Sequence, residues 1–307
     1  MRLRDELEKY LTTRRALGYQ LVQTEREAGQ FCDWLAKQGK TDTFSIDDAI
    51  TWARQPVGVH PARWADRLTR LRPFAAYLNA AGWNVPVIPR ALLPRGSTRT
   101  TPFIYTQNEL DLLLGSCPLV FENRRVAITM KTILGLLAAT GMRIGETTKL
   151  LVPDFDSDQH VLLVRGAKTP LDRLIALHPS TTKALLSYLS SPERAATRPD
   201  PQGALFVSYQ GTGFSSRSIE QHYRYLTAAV GIGPRDGARP RLHDFRHTFA
   251  TAHMVAAYRN GTDPQRTLGL LATWLGHTNV ADTYWYLSAT PELIALAAQH
   301  LETKNLT

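Results

Sequence analysis

The chain has 307 residues, a formal net charge of +9 and a pI of about 9.7. This length allows a substantial buried core and favours two domains over one. The basic residues are scattered along the chain rather than gathered in one tail, which favours a folded protein with surfaces that face a polyanion. Cys32 and Cys117 lie far apart and outside any ligand-like spacing, which argues against a disulfide framework and a zinc site.

The sequence lacks the features of an exported or membrane-bound chain. Its first residues, from Met1 to Glu6, lead directly into an amphipathic pattern without the apolar core of a signal peptide. The longest apolar run, residues 133–139, is too short to span a bilayer. We therefore expect a protein without a membrane partner, located in a reducing cytoplasm and associated with the nucleoid.

Residues 1–88 are predicted to form a helical domain, because apolar residues recur there at helical spacing with polar residues between them. A helix over residues 61–81 would place Arg63, Arg67 and Arg70 on one face, since they stand at positions i, i+4 and i+7. The apolar side chains of the same helix fall on the opposite face. We predict that the arginine stripe contacts a phosphate backbone. The alternative is an ordinary solvated helix face.

Residues 89–102 are typical of an extended basic linker, because prolines, a glycine and hydroxyl residues accompany Arg95 and Arg99. We expect both arginines to contact DNA. Residues 103–307 then form a second domain, which opens with a capping box from Thr106 to Glu109.

The second domain is predicted to be mainly helical with one small sheet. Two β-type runs, residues 161–164 and 174–177, are separated by a short polar connection and predict a hairpin. Helical spacing and cap signals predict the remaining elements, over residues 125–139, 183–189, 218–230, 242–257, 268–275 and 291–301.

Several polar residues of this domain are of the types that phosphoryl chemistry requires. Arg143 follows a helix-breaking glycine close to a helix start, where backbone N–H groups also favour anions. His243 and Arg246 stand one helical turn apart. Lys168 lies in the hairpin connection, and His277 follows Gly276. Taken singly, each has a structural alternative, such as pairing of Arg143 with Glu146, a solvated lysine, or a histidine bonded to a helix-terminal carbonyl.

Taken together with Tyr286, nine residues after His277, the set complements the transfer of a DNA phosphodiester to tyrosine. Guanidinium forks suit the negative charge that develops on the non-bridging oxygens. We therefore assign the stabilisation of this charge to Arg143 and Arg246, with His277 as a third donor. The leaving oxygen needs a proton, for which Lys168 is the candidate acid. His243 is the candidate acid/base near the tyrosine.

Three blocks carry a resemblance to the tyrosine recombinases of the phage integrase family: residues 139–146, 242–251 and 275–286. The resemblance implies phosphate binding by Arg143, Arg246 and His277, a His-x-x-Arg histidine at 243, a hairpin lysine at 168 and a nucleophile at Tyr286. Tyr284 is a competitor for the last role, although the spacing from His277 favours Tyr286. Arg241, which directly precedes the second block, joins the predicted DNA-binding residues.

The resemblance further implies a SAM-like, helical core-binding domain followed by a catalytic domain with the fold of the DNA breaking-rejoining enzymes. Site-specific cleavage and rejoining would pass through a 3′-phosphotyrosine, without ATP, metal or any other cofactor. Two alternatives stay open: a type IB topoisomerase, and a catalytically inactive DNA-binding protein of the same fold.

The partners implied are double-stranded DNA recombination sites and a homotetramer on synapsed DNA, with an accessory recombinase or a DNA-bending protein as further candidates. The apolar residues of the helix beginning at Pro291 could dock in a neighbouring subunit, or the helix could pack on its own domain. We expect no arm-site domain before Leu3, which favours a simple Xer-like or transposon-encoded recombinase.

Overall fold

The computed structural model describes residues 2–94, 101–166, 172–277, 283 and 291–305, with side chains of the last segment described through residue 299. The chain divides into two compact units, Met1–Thr100 and Thr101–Thr307. Within the described residues, no helix has both the length and the apolar character needed to cross a membrane.

The first unit is helical, as predicted. It consists of α1 (Leu3–Ala16), α2 (Val22–Lys37), α3 (Ile46–Arg54) and α4 (Pro61–Ala80). Ser45 caps α3 in a reciprocal arrangement, because its Oγ accepts from the Asp48 N–H at 3.1 Å and the Asp48 carboxylate accepts from the Ser45 N–H at 2.8 Å. The apolar faces of the four helices enclose one core, in which Phe31, Trp52 and Phe74 are almost completely buried.

The predicted arginine stripe on α4 is wrong in one respect. Arg67 is only 7% exposed, and its guanidinium lies 3.8 Å above the ring centroid of Trp52. One carboxylate oxygen of Glu27 forms an ion pair with Arg63 at 2.7 Å and accepts a hydrogen bond from Arg70 at 3.0 Å. Arg67 therefore belongs neither to a phosphate-facing stripe nor to a solvated face, while Arg63 and Arg70 remain partly exposed.

This arrangement has a clear physical cause. Glu27 is 1% exposed on α2, and a carboxylate at that depth is stable only when cations and hydrogen bonds compensate for its lost hydration. The spacing of the arginines correctly places them on one face of α4. It carries no information on the buried acid that packs against this face.

The second unit begins with α5 (Gln107–Val120), α6 (Arg124–Thr140) and the short α7 (Ile144–Thr147). A small sheet follows, formed by β1 (Phe155–Asp156), β2 (Val161–Val164) and β3 (Arg173–Ala176). The remaining described helices are α8 (Pro179–Leu189), α9 (Pro192–Ala195), α10 (Ser216–Ala229), α11 (Asp244–Arg259), α12 (Pro264–Leu275) and α13 (Pro291–Asn305).

The sheet is antiparallel with the order β1-β2-β3, and Leu162 pairs with Ile175 in the predicted hairpin. β1 was not predicted, since two residues are too few to show an alternating pattern. Buried Leu162, Val164 and Ile175 attach the sheet to the core around α6.

Helix starts account for most differences from the predicted boundaries. α8 and α12 begin at Pro179 and Pro264, four residues before the predicted starts at 183 and 268. Proline suits the first position of a helix because its fixed φ is helical and its missing N–H would have no partner there. The apolar periodicity on which the predictions depended begins only one turn later.

The helix α13 packs on α11 of its own chain. Leu293 is completely buried in a cluster with Phe249 and Met254. Glu292 accepts a hydrogen bond from Arg259 at 2.5 Å. Of the two placements considered from the sequence, the single chain therefore adopts the one within its own domain.

Replacement of Glu27 tests the buried cluster. Glu27→Gln should destabilise the protein by about 2 kcal/mol, because Arg63 and Arg70 lose the buried carboxylate that they share, while solvent screens their partly exposed charges. The exposed pair Arg15–Glu25 offers a matched control. Glu25→Gln should change the free energy of unfolding, measured by urea denaturation, by less than about 0.5 kcal/mol. Equal effects of the two substitutions would contradict this account.

Candidate active site

The centre of the site is the guanidinium of Arg246, in the first turn of α11. The residue is 1% exposed, so its charge requires partners within the protein. Its Nη1 donates to the Gly141 carbonyl at 3.0 Å, and its Nη2 donates to the Leu275 carbonyl at 2.6 Å. Nη2 also lies 2.8 Å from Nε2 of His277. One side chain thereby connects the ends of α6 and α12 to the predicted histidine.

The contact with Arg246 fixes the proton position on His277. A guanidinium can only donate, so Nε2 of His277 accepts and its proton resides on Nδ1. Nδ1 lies 2.7 Å from the hydroxyl of Thr283, which is completely buried and accepts that proton's hydrogen bond. In this arrangement Nε2 does not offer a proton to a phosphate. Thr283 was missed from the sequence, where it stands as one hydroxyl among several polar residues.

The carbonyls of Gly141 and Leu275 point toward Arg246 because a glycine terminates each of the two helices. Gly141 ends α6 with φ +64° and Gly276 ends α12 with φ +67°, both in the left-handed region. A Cβ at Gly141 would also stand 2.7 Å from the ring of Phe249. A side chain at either position would therefore disturb a helix end that contacts Arg246.

Arg143 lies beside this centre, at the start of α7. Its Nη1 donates to Glu146 at 3.0 Å and approaches the Leu275 carbonyl at 3.4 Å, the same carbonyl that Arg246 contacts. The Arg143 side chain is 31% exposed, so it is accessible to an anion. The structure thus brings Arg143, Arg246 and His277 together, and the pairing of Arg143 with Glu146 is also present.

His243 precedes α11, and its ring centroid lies 5.1 Å from that of His247. Burial of the ring, with His247 and Arg246 nearby, lowers the pKa of His243 to about 4. Burial and the charges of Arg241 and Arg246 lower the pKa of His247 to about 4 as well. Both histidines are therefore neutral at pH 7. A neutral imidazole can accept a proton, as the predicted acid/base role of His243 requires.

Arg173 is a contributor that the sequence did not single out, and it shares the carboxylate of Glu146 with Arg143. Glu146 is 6% exposed and accepts from Arg173 Nη1 at 3.2 Å and Nη2 at 2.8 Å. Burial alone would raise the pKa of Glu146, but hydrogen bonds from Arg173 and Arg143 outweigh it and lower that pKa. The sequence pattern that could have identified Arg173 is an arginine at the start of an otherwise apolar strand.

Arg241 contacts the carboxylate of Asp244 at 2.8 Å and keeps 44% of its side chain exposed. Its predicted contact with DNA stays a prediction. The other predicted residues lie outside the described part of the chain: Arg95, Arg99, Lys168, Tyr284 and Tyr286. Among the described residues, no group of three or more histidine, cysteine or acidic side chains could hold a metal ion.

Comparison with known proteins identifies relatives. Residues 104–292 match the model of the phage integrase family. The chain is 35% identical to the protein y4rB of Sinorhizobium fredii, named as an integrase/recombinase, over 98% of this chain and 97% of the relative. It is 26% identical to the tyrosine recombinase XerD of Bifidobacterium longum, over 88% and 86% of the two chains.

Solved structures with the same fold support the predicted fold class. The integrase of the transposon Tn1549, solved in complex with transposon right end DNA, aligns with a TM-score of 0.69 over 99% of both chains at 17% identity. The site-specific recombinase XerH, bound to its difH substrate, aligns with a TM-score of 0.67 over 97% of this chain and 85% of the other at 18% identity. Both likenesses confirm a mostly helical protein with a small sheet.

The lowered histidine pKa values predict a pH dependence of stability. An unperturbed histidine has a pKa of about 6.5, so between pH 6.5 and 4 the unfolded chain binds more protons than the folded one. The contribution of His243 and His247 to stability is complete above pH 6.5 and is lost as the pH falls toward 4.

The measurement is the free energy of unfolding in urea at several pH values between 4 and 7. The double variant His243→Gln/His247→Gln should show a shallower dependence than the unmodified protein, because the two buried histidines no longer contribute to the slope. Identical slopes for the two proteins would contradict the assignment.

Proposed function

The chain belongs to the phage integrase family, and from this premise we propose that the site around Arg246 binds the DNA phosphate at which this tyrosine recombinase cleaves and rejoins strands. One observation carries the proposal. Arg143 and Arg246, which come from separate parts of the sequence, approach the same Leu275 carbonyl next to His277. Two guanidinium groups in one place suit an anion with two non-bridging oxygens.

The two arginines differ in their roles. Arg246 is buried and held by two carbonyls, so its charge has a fixed position before the DNA arrives. Arg143 is accessible and makes direct contact with the phosphate. Preorganised charge of this kind stabilises the transition state without rearrangement during the reaction. The guanidinium groups neutralise the developing charge, so the proposed reaction needs no metal.

The reaction is a transesterification in which atoms and protons balance. The phenol oxygen of Tyr286 attacks the phosphorus and forms a 3′-phosphotyrosine, while neutral His243 accepts the phenol proton. The bond from phosphorus to the 5′ oxygen breaks, and Lys168 protonates this oxygen to give a free hydroxyl. Attack by a 5′ hydroxyl of another strand reverses these steps. The covalent intermediate preserves the phosphodiester energy, so rejoining needs no ATP.

Double-stranded DNA is the partner, and the finer contacts are proposals. We assign phosphate contacts to the exposed parts of Arg63 and Arg70 in the first unit and to Arg241 in the second. Arg95 and Arg99 are further candidates. Arg67 is withdrawn from this set because it is buried against Trp52. The DNA complex of the Tn1549 integrase, which shares the fold, supports this partner.

The proposed assembly is a homotetramer on two synapsed sites, with an accessory recombinase or DNA-bending protein as an additional partner. In the single chain, α13 is anchored to α11 through Leu293 and Glu292. Exchange of this helix between subunits would first have to release both contacts. Among the alternatives, the recombinases in the family favour strand exchange over the relaxation performed by a type IB topoisomerase.

The nucleophile assignment predicts different behaviour for two tyrosines that stand two residues apart. Tyr286→Phe should abolish the covalent protein–DNA adduct, because phenylalanine has no oxygen with which to attack the phosphorus. Tyr284→Phe is the matched control and should retain the adduct within about threefold of the unmodified protein, as expected for a residue outside the chemistry. The measurement is SDS gel electrophoresis after incubation with a nicked suicide duplex that carries the terminal sequence flanking the gene. Adduct formation by Tyr286→Phe, with none by Tyr284→Phe, would transfer the role to Tyr284.

A further inference from the structure

We propose that Arg173 is a positioning residue that holds the phosphate-binding Arg143 and the His277 turn in one geometry. The inference rests on the proposed function. Arg173 is the first residue of β3, at the base of the hairpin whose connection contains Lys168. Its guanidinium is 16% exposed and contacts two other parts of the site at once.

The first contact is with Glu146. Arg173 occupies both carboxylate oxygens, through Nη1 at 3.2 Å and Nη2 at 2.8 Å. Arg143 then donates to Glu146 through Nη1 at 3.0 Å and through its backbone N–H at 3.0 Å. Because the bidentate position on Glu146 is taken by Arg173, Arg143 is held at its edge and is not drawn into a fork-to-fork pair of its own.

The second contact is with the end of α12. Arg173 Nε donates to the Trp274 carbonyl at 2.9 Å. A Cβ at Gly276 would lie 2.9 Å from Arg173 Nη1, so the guanidinium fills the space that a side chain at position 276 would take. The neighbouring Leu275 carbonyl faces Arg246 and Arg143. Arg173 thus fixes the helix end whose carbonyl both phosphate-binding arginines share.

The charges of Arg143, Glu146 and Arg173 explain why the pairing of Arg173 with Glu146 matters for phosphate binding. One carboxylate lies between two guanidinium groups, so the cluster retains net positive charge while Arg143 stays oriented. Without Arg173, Glu146 would face Arg143 alone. The carboxylate would then neutralise Arg143 and draw its fork away from the phosphate. Arg173 therefore acts through Arg143 and the end of α12, and does not itself need to contact DNA.

The other side of the hairpin supplies a matched control. Arg165 follows β2 and donates to the buried carboxylate of Asp154 through Nη2 at 2.5 Å and Nε at 3.0 Å. Arg165 and Arg173 both stand at the base of the same hairpin, and each pairs with its own buried acid, Asp154 and Glu146 respectively. Arg165 has no contact with the site among the described residues, and its side chain is 57% exposed.

The kinetic experiment measures the rate of covalent adduct formation on the nicked suicide duplex at saturating protein. Arg173→Gln should slow the adduct by roughly 10- to 100-fold with DNA affinity changed less than about threefold, since misplacement of a reacting group by an ångström costs that much. Arg173→Lys should restore part of the rate, because an ammonium can pair with Glu146 but has no fork. Arg165→Gln should stay within about twofold of the unmodified protein.

A double variant distinguishes positioning from general stabilisation. If Arg173 acts through Arg143 and the end of α12, the two losses should not multiply, and Arg143→Ala/Arg173→Gln should be slower than Arg143→Ala by clearly less than the factor that Arg173→Gln costs alone. Independent losses that multiply, or equal losses for Arg173→Gln and Arg165→Gln, would overturn the proposal.

A second readout does not depend on cleavage. In protein with 15N-labelled arginine, the Nε–H resonance of Arg143, identified by its loss in Arg143→Ala, should shift in Arg173→Gln and stay unchanged in Arg165→Gln. An unchanged Arg143 resonance in Arg173→Gln would overturn the proposal even where the rates agree. Absence of any adduct with the unmodified protein would instead contradict the proposed function, while the resonance would still decide the role of Arg173.

Discussion

The buried guanidinium of Arg246 is the interaction on which the catalytic unit depends. A fully charged group at 1% exposure must be surrounded by acceptors, and here they are two helix-terminal carbonyls and a histidine nitrogen. These acceptors come from two distant places in the chain, the end of α6 at Gly141 and the end of α12 from Leu275 to His277. Stabilising this one charge therefore requires that the two helix ends meet.

The same constraint explains the glycines and the histidine tautomer. α6 and α12 end at Gly141 and Gly276, and both glycines adopt the left-handed conformation. These helix ends direct the carbonyls of Gly141 and Leu275 toward Arg246. Because Nε2 of His277 accepts a hydrogen bond from Arg246, the ring proton lies on Nδ1, which donates to Thr283. Thr283 stands three residues before Tyr286. The hydrogen bonds of the proposed phosphate site thus extend to Thr283, close in sequence to the proposed nucleophile.

Arginines held by buried acids recur throughout the protein. Arg63 and Arg70 contact Glu27, Arg143 and Arg173 contact Glu146, and single arginines contact Asp154 and Asp244. In each of the first two clusters, one carboxylate serves more than one guanidinium. Such clusters fix the direction of a basic side chain and still present net positive charge, which suits a protein that binds a polyanion.

The sequence predicted those features that depend on local spacing. The capping box at Thr106, the hairpin and the helix carrying Arg246 are confirmed, because each follows from residues near one another in the chain. The burial of Arg67 and the contacts of Arg173 could not be predicted, since they depend on Trp52 and Glu146, which come from other segments of the chain. A spacing rule identifies the face of a helix but not the residue that packs against it.

The central claim is that these guanidinium groups stabilise charge developing on the non-bridging oxygens of a DNA phosphate. The most direct measurement compares Arg143→Ala with the unmodified protein on two suicide duplexes, one with an ordinary scissile phosphodiester and one with a neutral methylphosphonate. The account predicts a loss of roughly 10²- to 10³-fold in cleavage rate on the phosphodiester and of less than about tenfold on the methylphosphonate, which lacks the charge that Arg143 neutralises. Equal losses on the two substrates would contradict it.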